Sequence, residues 1–177
     1  MADTVFICYR RGEDTPSAGW LRSLLTERAF APQQIFLDVD GIEPGEDFVD
    51  KLEAQVEACD VMLCVIGQGW LKALDRLAQP TDYVRIEIAS ALAKGKKIVP
   101  LLLDAAQLPP ADALPAELRR LTRRQAAWLR HDHFKSDLQA LVPILEKALP
   151  GPPRPTPQPV PPPASPRGAA ETGHGVS

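Results

Sequence analysis

Residues 61–66 read Val-Met-Leu-Cys-Val-Ile, with no polar side chain at either parity. Successive side chains of a strand point to opposite faces, so a strand that is apolar throughout must be covered on both. The rest of the chain supplies the covering layers. Apolar strand runs at 5–9, 35–37, 98–103 and, more weakly, 126–129 alternate with segments whose apolar residues recur at helical spacing. Trp20, Leu21, Leu24 and Leu25 form one stripe, after Pro16 and Ser17 as start signals. Phe48, Val49, Leu52 and Val56 form a second, 82–93 a third, and a short helix is expected near 116–121. The last helix places Leu138, Leu141, Val142, Leu145 and Leu149 on one face. It should open at the capping-box pattern of residues 136–139 and kink or break at Pro143. Strand and helix alternating five times predict an α/β fold, a three-layer sandwich on a five-stranded parallel sheet.

At Pro150 the composition changes. Residues 150–166 are more than half proline and hold almost nothing to bury, and polar and small residues follow to Ser177. We therefore expect a globular domain over 1–149 and a proline-rich linker or stalk over 150–177. The tail contains PxxP spacings, which this proline density makes nearly unavoidable. The net charge of -3 gives no reason to expect nucleic-acid binding. Arg119, Arg120, Arg123 and Arg124 read as the solvated side of a short helix. No apolar run reaches the ~18–20 residues that span a bilayer, and the first residues lack a secretion signal. Cys8, Cys59 and Cys64 are odd in number, and two lie in apolar runs, as expected of reduced thiols in a cytoplasmic protein.

Several chemistries of this architecture lack their residues. There is no GxGxxG after a strand, no GxxxxGK[ST] and no GxSxG. The 61–66 run leads into Gly67-Gln68-Gly69-Trp70 and not into the aspartate of a phospho-acceptor domain. No metal site is expected. His131 and His133 match no ligand spacing and read as loop histidines, and Asp38 and Asp40 read as caps of backbone amides. The loop over 37–48, LDVDGIEPGEDF, has a defined shape: Pro44 presets one backbone angle and Gly45 supplies a positive φ. Glu87 stands between Ile86 and Ile88 in an increasingly apolar helix and has no cation one turn away. With Thr81 as expected N-cap it lies early in the helix, one turn after the ring of Tyr83, near the sheet edge where the loops gather.

FICYRR at 6–11, LDVDGIEPGEDF at 37–48 and DYVRIEIASAL at 82–92 together resemble the Toll/interleukin receptor (TIR) domain family, particularly its bacterial branch. The resemblance covers about 3–149 and implies the flavodoxin-like TIR fold. Many members of the family cleave NAD+ at its N-ribosyl bond. It implies Glu87 as the catalytic glutamate; Arg10, Arg11 and Glu43 lining the NAD+ site; and Tyr83 and Phe48 as aromatic neighbours of the substrate ring. NAD+ is then substrate, and no cofactor is implied. Cys8 departs from the family's usual serine. The implied partners are other TIR domains, assembling homotypically and completing the site between neighbours, with no nucleic acid and no insertion into a membrane. The alternative is a non-catalytic TIR module that acts by TIR–TIR binding. From the residues alone, Arg10 and Arg11 fit either a pyrophosphate clamp or a surface pair.

Overall fold

The computed structural model describes residues 3–37, 45 and 47–151. The expected tail lies outside them, except for its first two residues. Five parallel strands form one sheet: β1 Val5–Cys8, β2 Ile35–Leu37, β3 Val61–Ile66, β4 Lys97–Leu103 and β5 Ala127–Leu129, in the order β2-β1-β3-β4-β5. Among the described residues six α-helices accompany them: α1 Thr15–Arg28, α2 Phe48–Ala58, α3 Gln68–Lys72, α4 Leu74–Leu77, α5 Tyr83–Ala93 and α6 Phe134–Ala148. The expected three-layer α/β sandwich is therefore present, and every residue of β3 is buried.

Strand parity sorts the core into two halves. Val5, Ile7, Val61, Leu63, Val65, Leu101 and Leu129 face one way and pack against Leu21 and Leu25 of α1 and Leu138, Leu141 and Leu145 of α6. Phe6, Cys8, Met62, Cys64, Ile66 and Leu102 face the other way, against Val56 of α2 and Val84, Ile88 and Ala91 of α5. The three thiols are buried. Burial pushes Cys59 up to about 11, so it packs as a small apolar group.

Three local expectations are corrected. Asp82, not Thr81, caps α5: its carboxylate accepts from the Arg85 N–H at 3.0 Å. Helix α6 begins at Phe134, before the expected box. Ser136 there donates to the His133 carbonyl, and Asp137 accepts from the Arg130 backbone N–H and guanidinium. The helix also continues through Pro143, because that residue sits on the exposed side, where water can reach the carbonyl it leaves unbonded. The short helices α3 and α4 carry no long apolar stripe and were not expected. Among the described residues no helix is long and apolar enough to cross a membrane.

The bond from Arg130 holds the Asp137 carboxyl below its ordinary range. A depressed folded-state value contributes stability above the unfolded value of ~3.9, and that stability is lost as pH falls through the folded value. The melting-temperature gap between wild type and Asp137→Asn should therefore be widest above pH ~5 and narrow towards pH ~2. Thermal unfolding across that range checks it.

Candidate functional site

Strand order places the reversal of connection between β1 and β3, and ligands of open α/β sheets bind at the carboxyl ends of the strands flanking such a point. Asp14, 3% exposed, accepts from the backbone N–H of Gly69 at 3.2 Å and of Trp70 at 2.8 Å, tying the loop after β1 to the first turn of α3. Burial raises its pKa, and the two backbone bonds oppose that rise. A Cβ at Gly67 would collide with Asp14 Oδ1 and approach Leu103 Cδ1 at 3.1 Å. Gly67→Ala is therefore expected to displace the carboxylate from its two donors and destabilise the domain by about 2 kcal/mol. Chemical denaturation measures this.

A groove also lies between α2 and α5. The first turn of α5 is fixed there by a buried ion pair. Arg10, two residues beyond β1 and 5% exposed, donates Nη1 to Asp82 Oδ2 at 2.6 Å and Nη2 to Asp82 Oδ1 at 3.1 Å. Arg76 Nε stands 4.0 Å from the same carboxylate. Asp82 thus caps α5 and anchors it to the end of β1. Arg10 Nε is buried and has no hydrogen-bond acceptor among the described residues.

Helix α5 then presents two faces. Tyr83, Ile86, Ser90 and Ala93 line one side of a groove of ≈ 700 Å³, opposite Phe48, Val49 and Glu53 of α2. The rings of Phe48 and Tyr83 meet across it at a centroid distance of 3.8 Å, inclined by 44°. Glu87 lies one turn after Tyr83 and about 40° further round the helix, between the groove face and the core face. It is 0% exposed. A fully buried carboxylate is costly to keep in a core, and such groups concentrate at functional sites.

The expected site residues therefore separate into distinct placements. Phe48 and Tyr83 come together on the groove, with Glu87 closed off beneath Tyr83. Arg10 is committed to Asp82, whereas Arg11 lies exposed. Glu43 and the rest of residues 38–44 lie outside the described residues. Gly45 is described and has φ 100°, the positive value expected of it. Asp14 and Asp82 were missed by sequence reasoning. Asp82 carried a usable signal, an aspartate immediately before an apolar helical run; Asp14 carried none.

His131 uses Nδ1 on Asp104 Oδ2 at 2.9 Å, and its ring stacks on Trp20 at 5.0 Å. Among the described residues no group of three or more His, Cys, Asp or Glu comes together to hold a metal.

A doubly covered parallel sheet, with a capped helix holding a buried acid at its carboxyl edge, defines an α/β domain of the flavodoxin-like class. Within that class the chain belongs to the TIR domain family, whose sequence model matches residues 5–142. It is 26% identical over 147 residues to the NAD(+) hydrolase sarm1 of Drosophila melanogaster, covering 83% of this chain and 10% of that protein. The chain thus spans about a tenth of the length of that curated relative. The fold is similar to a metazoan TIR-STING receptor from C. gigas solved with 2',3'-cGAMP (TM-score 0.53, 20% identity, 78% of this chain and 39% of that one). It is also similar to a prokaryotic SEFIR domain (TM-score 0.55, 16% identity, 81% and 92%).

Proposed function

We propose that this TIR domain is an NAD+ nucleosidase that releases nicotinamide and leaves ADP-ribose or a cyclised form, in bacterial defence or signalling. The observation that carries the reading is Glu87: a fully buried carboxylate one turn into a helix at the functional edge of the sheet, beside an aromatic groove. The named activity of the fly relative supports it.

The chemistry asks little of the protein. Nicotinamide leaves from a cationic pyridinium and needs no acid to protonate it, unlike the leaving oxygen of a glycoside. What remains is the positive charge that develops on the ribosyl carbon. The Glu87 carboxylate stabilises that charge, and closure from water strengthens the interaction. The Phe48–Tyr83 ring pair is the natural place for the flat pyridinium, which requires the rings to part and open a path to Glu87. Arg10 serves this reading by fixing α5 through Asp82. Homotypic TIR assembly supplies the remaining walls.

One observation favours a second reading, a non-catalytic interaction module. Glu87 is shut off from solvent, while the groove offers the exposed apolar side chains of Val49 and Tyr83. The test is incubation of concentrated protein with NAD+, following nicotinamide by chromatography, beside a Glu87→Ala variant. The nucleosidase reading predicts release by the wild type alone. Equal release by both, or none by either at any concentration, would overturn it and leave the module.

A further inference from the structure

The sequence places four arginines within residues 119–124, in a chain whose net charge is negative. In the structure they lie on and just beyond a 3-10 helix, Ala116–Arg123, that buries Leu118 and Leu121 against the α5 side of the sheet. A 3-10 helix has three residues per turn, so side chains three apart eclipse one another. That period aligns Glu117, Arg120 and Arg123 in one row.

Glu117 would neutralise the row, but it is engaged elsewhere. Its Oε1 accepts from Arg85 Nη2 at 2.5 Å and from Arg85 Nε at 2.8 Å, and the hydrogen bond from its own backbone N–H, followed by that from Arg85, holds its pKa low. Arg85 is in turn fixed by donating to the Leu77 and Ala78 carbonyls. Arg120 and Arg123, joined by Arg124 from the residue after the helix, are the described residues that line a surface pocket of ≈ 200 Å³. Among the described residues none of the three makes an ion pair.

Three guanidinium groups around one concavity repel one another unless an anion sits between them. Their planar donor forks fit phosphoryl oxygens in a bidentate manner better than a point charge would. The volume lies below the ~300–1,000 Å³ of pockets that enclose whole ligands. It suits one or two phosphoryl groups and leaves any attached moiety outside.

We infer that Arg120, Arg123 and Arg124 form a binding site for a phosphate-bearing anion, separate from the Phe48–Tyr83 groove, whose lining shares no residue with it. The chemistry recognised is a pair of linked phosphoryl groups, either free as a polyphosphate or carried by a nucleotide.

The test is calorimetric titration of the full chain at low salt with inorganic pyrophosphate and, separately, with ADP. The same titrations are run on Arg120→Gln/Arg123→Gln/Arg124→Gln, positions that lie outside both core clusters. Saturable binding of one pyrophosphate per chain, weakened roughly tenfold or more in the triple variant, is expected. ADP binding more tightly than pyrophosphate would identify a nucleotide as the source, and equal binding would identify the phosphate chain alone. Absence of saturable binding, or equal binding by the variant, overturns the site. So does binding of a single-stranded oligonucleotide without either small anion, which would make the row a nucleic-acid surface.

Discussion

Replacing Glu87 with glutamine is expected to reduce nicotinamide release from NAD+ by roughly 10²-fold or more, the scale for removing one group that stabilises transition-state charge. The substitution keeps the shape and removes only the charge, so it separates chemistry from packing. Since the side chain is wholly enclosed, a change of volume there would also cost packing. The matching measurement is therefore a pair: initial rate of nicotinamide release, and thermal unfolding to show that the variant is folded. A folded Glu87→Gln protein that turns over NAD+ at the wild-type rate would remove Glu87 from the chemistry. Loss should fall on kcat more than on KM, because the carboxylate acts on charge that develops only as the bond breaks.

The second large effect is on stability. Asp82→Ala should destabilise the domain by about 3–5 kcal/mol, because it strands the buried Arg10 guanidinium without its counter-charge. Loss of the α5 cap adds roughly 1 kcal/mol. For a domain of this size the melting temperature should fall by roughly 10 °C or more. A double substitution, Arg10→Met with Asp82→Leu, removes both charges and should recover much of the loss, since a buried pair replaced by apolar residues is often near neutral. That recovery distinguishes a coupled pair from two independent contributions. A single variant melting within a degree or two of wild type would show that the pair does not clamp the helix. Asp82→Asn retains the cap but not the charge and should fall between.

The two predictions address different levels of the same site. Arg10 was first a candidate contact for the pyrophosphate of NAD+. Its bidentate bond to Asp82 gives it a positioning task as well: it sets where α5 begins, and hence where Tyr83 and Glu87 stand. Arg10 substitutions should therefore lower stability and activity together, whereas Glu87→Gln should lower activity alone.

Much of this protein was legible in its residues. The unbroken apolar run of β3 required cover on both faces, and the alternation of strand and helix required parallel pairing; neither depends on distant contacts. Glu87 stood out because a charged residue in an apolar helical run is conspicuous in one dimension. Tyr83 one turn before it followed from helical spacing alone. The N-cap was misplaced by one residue because Thr81 and Asp82 offer similar local chemistry, and the ion pair with Arg10 favours Asp82.

Tertiary structure decided the rest, for one physical reason: ion pairs and hydrogen bonds between residues far apart in sequence leave no periodic trace. Asp14 reaches Gly69 and Trp70 across 55 and 56 residues and ties the segment after β1 to the start of α3. Arg10 reaches Asp82 across 72 and turns from a surface candidate into a buried anchor. Arg85 draws Glu117 away across 32 and leaves three arginines around one pocket. By itself the sequence determined the layers, the family resemblance and the acid on which the chemistry is staked. Only the folded chain decided which charges are neutralised, and so where on the sheet edge an incoming anion or cation finds a place.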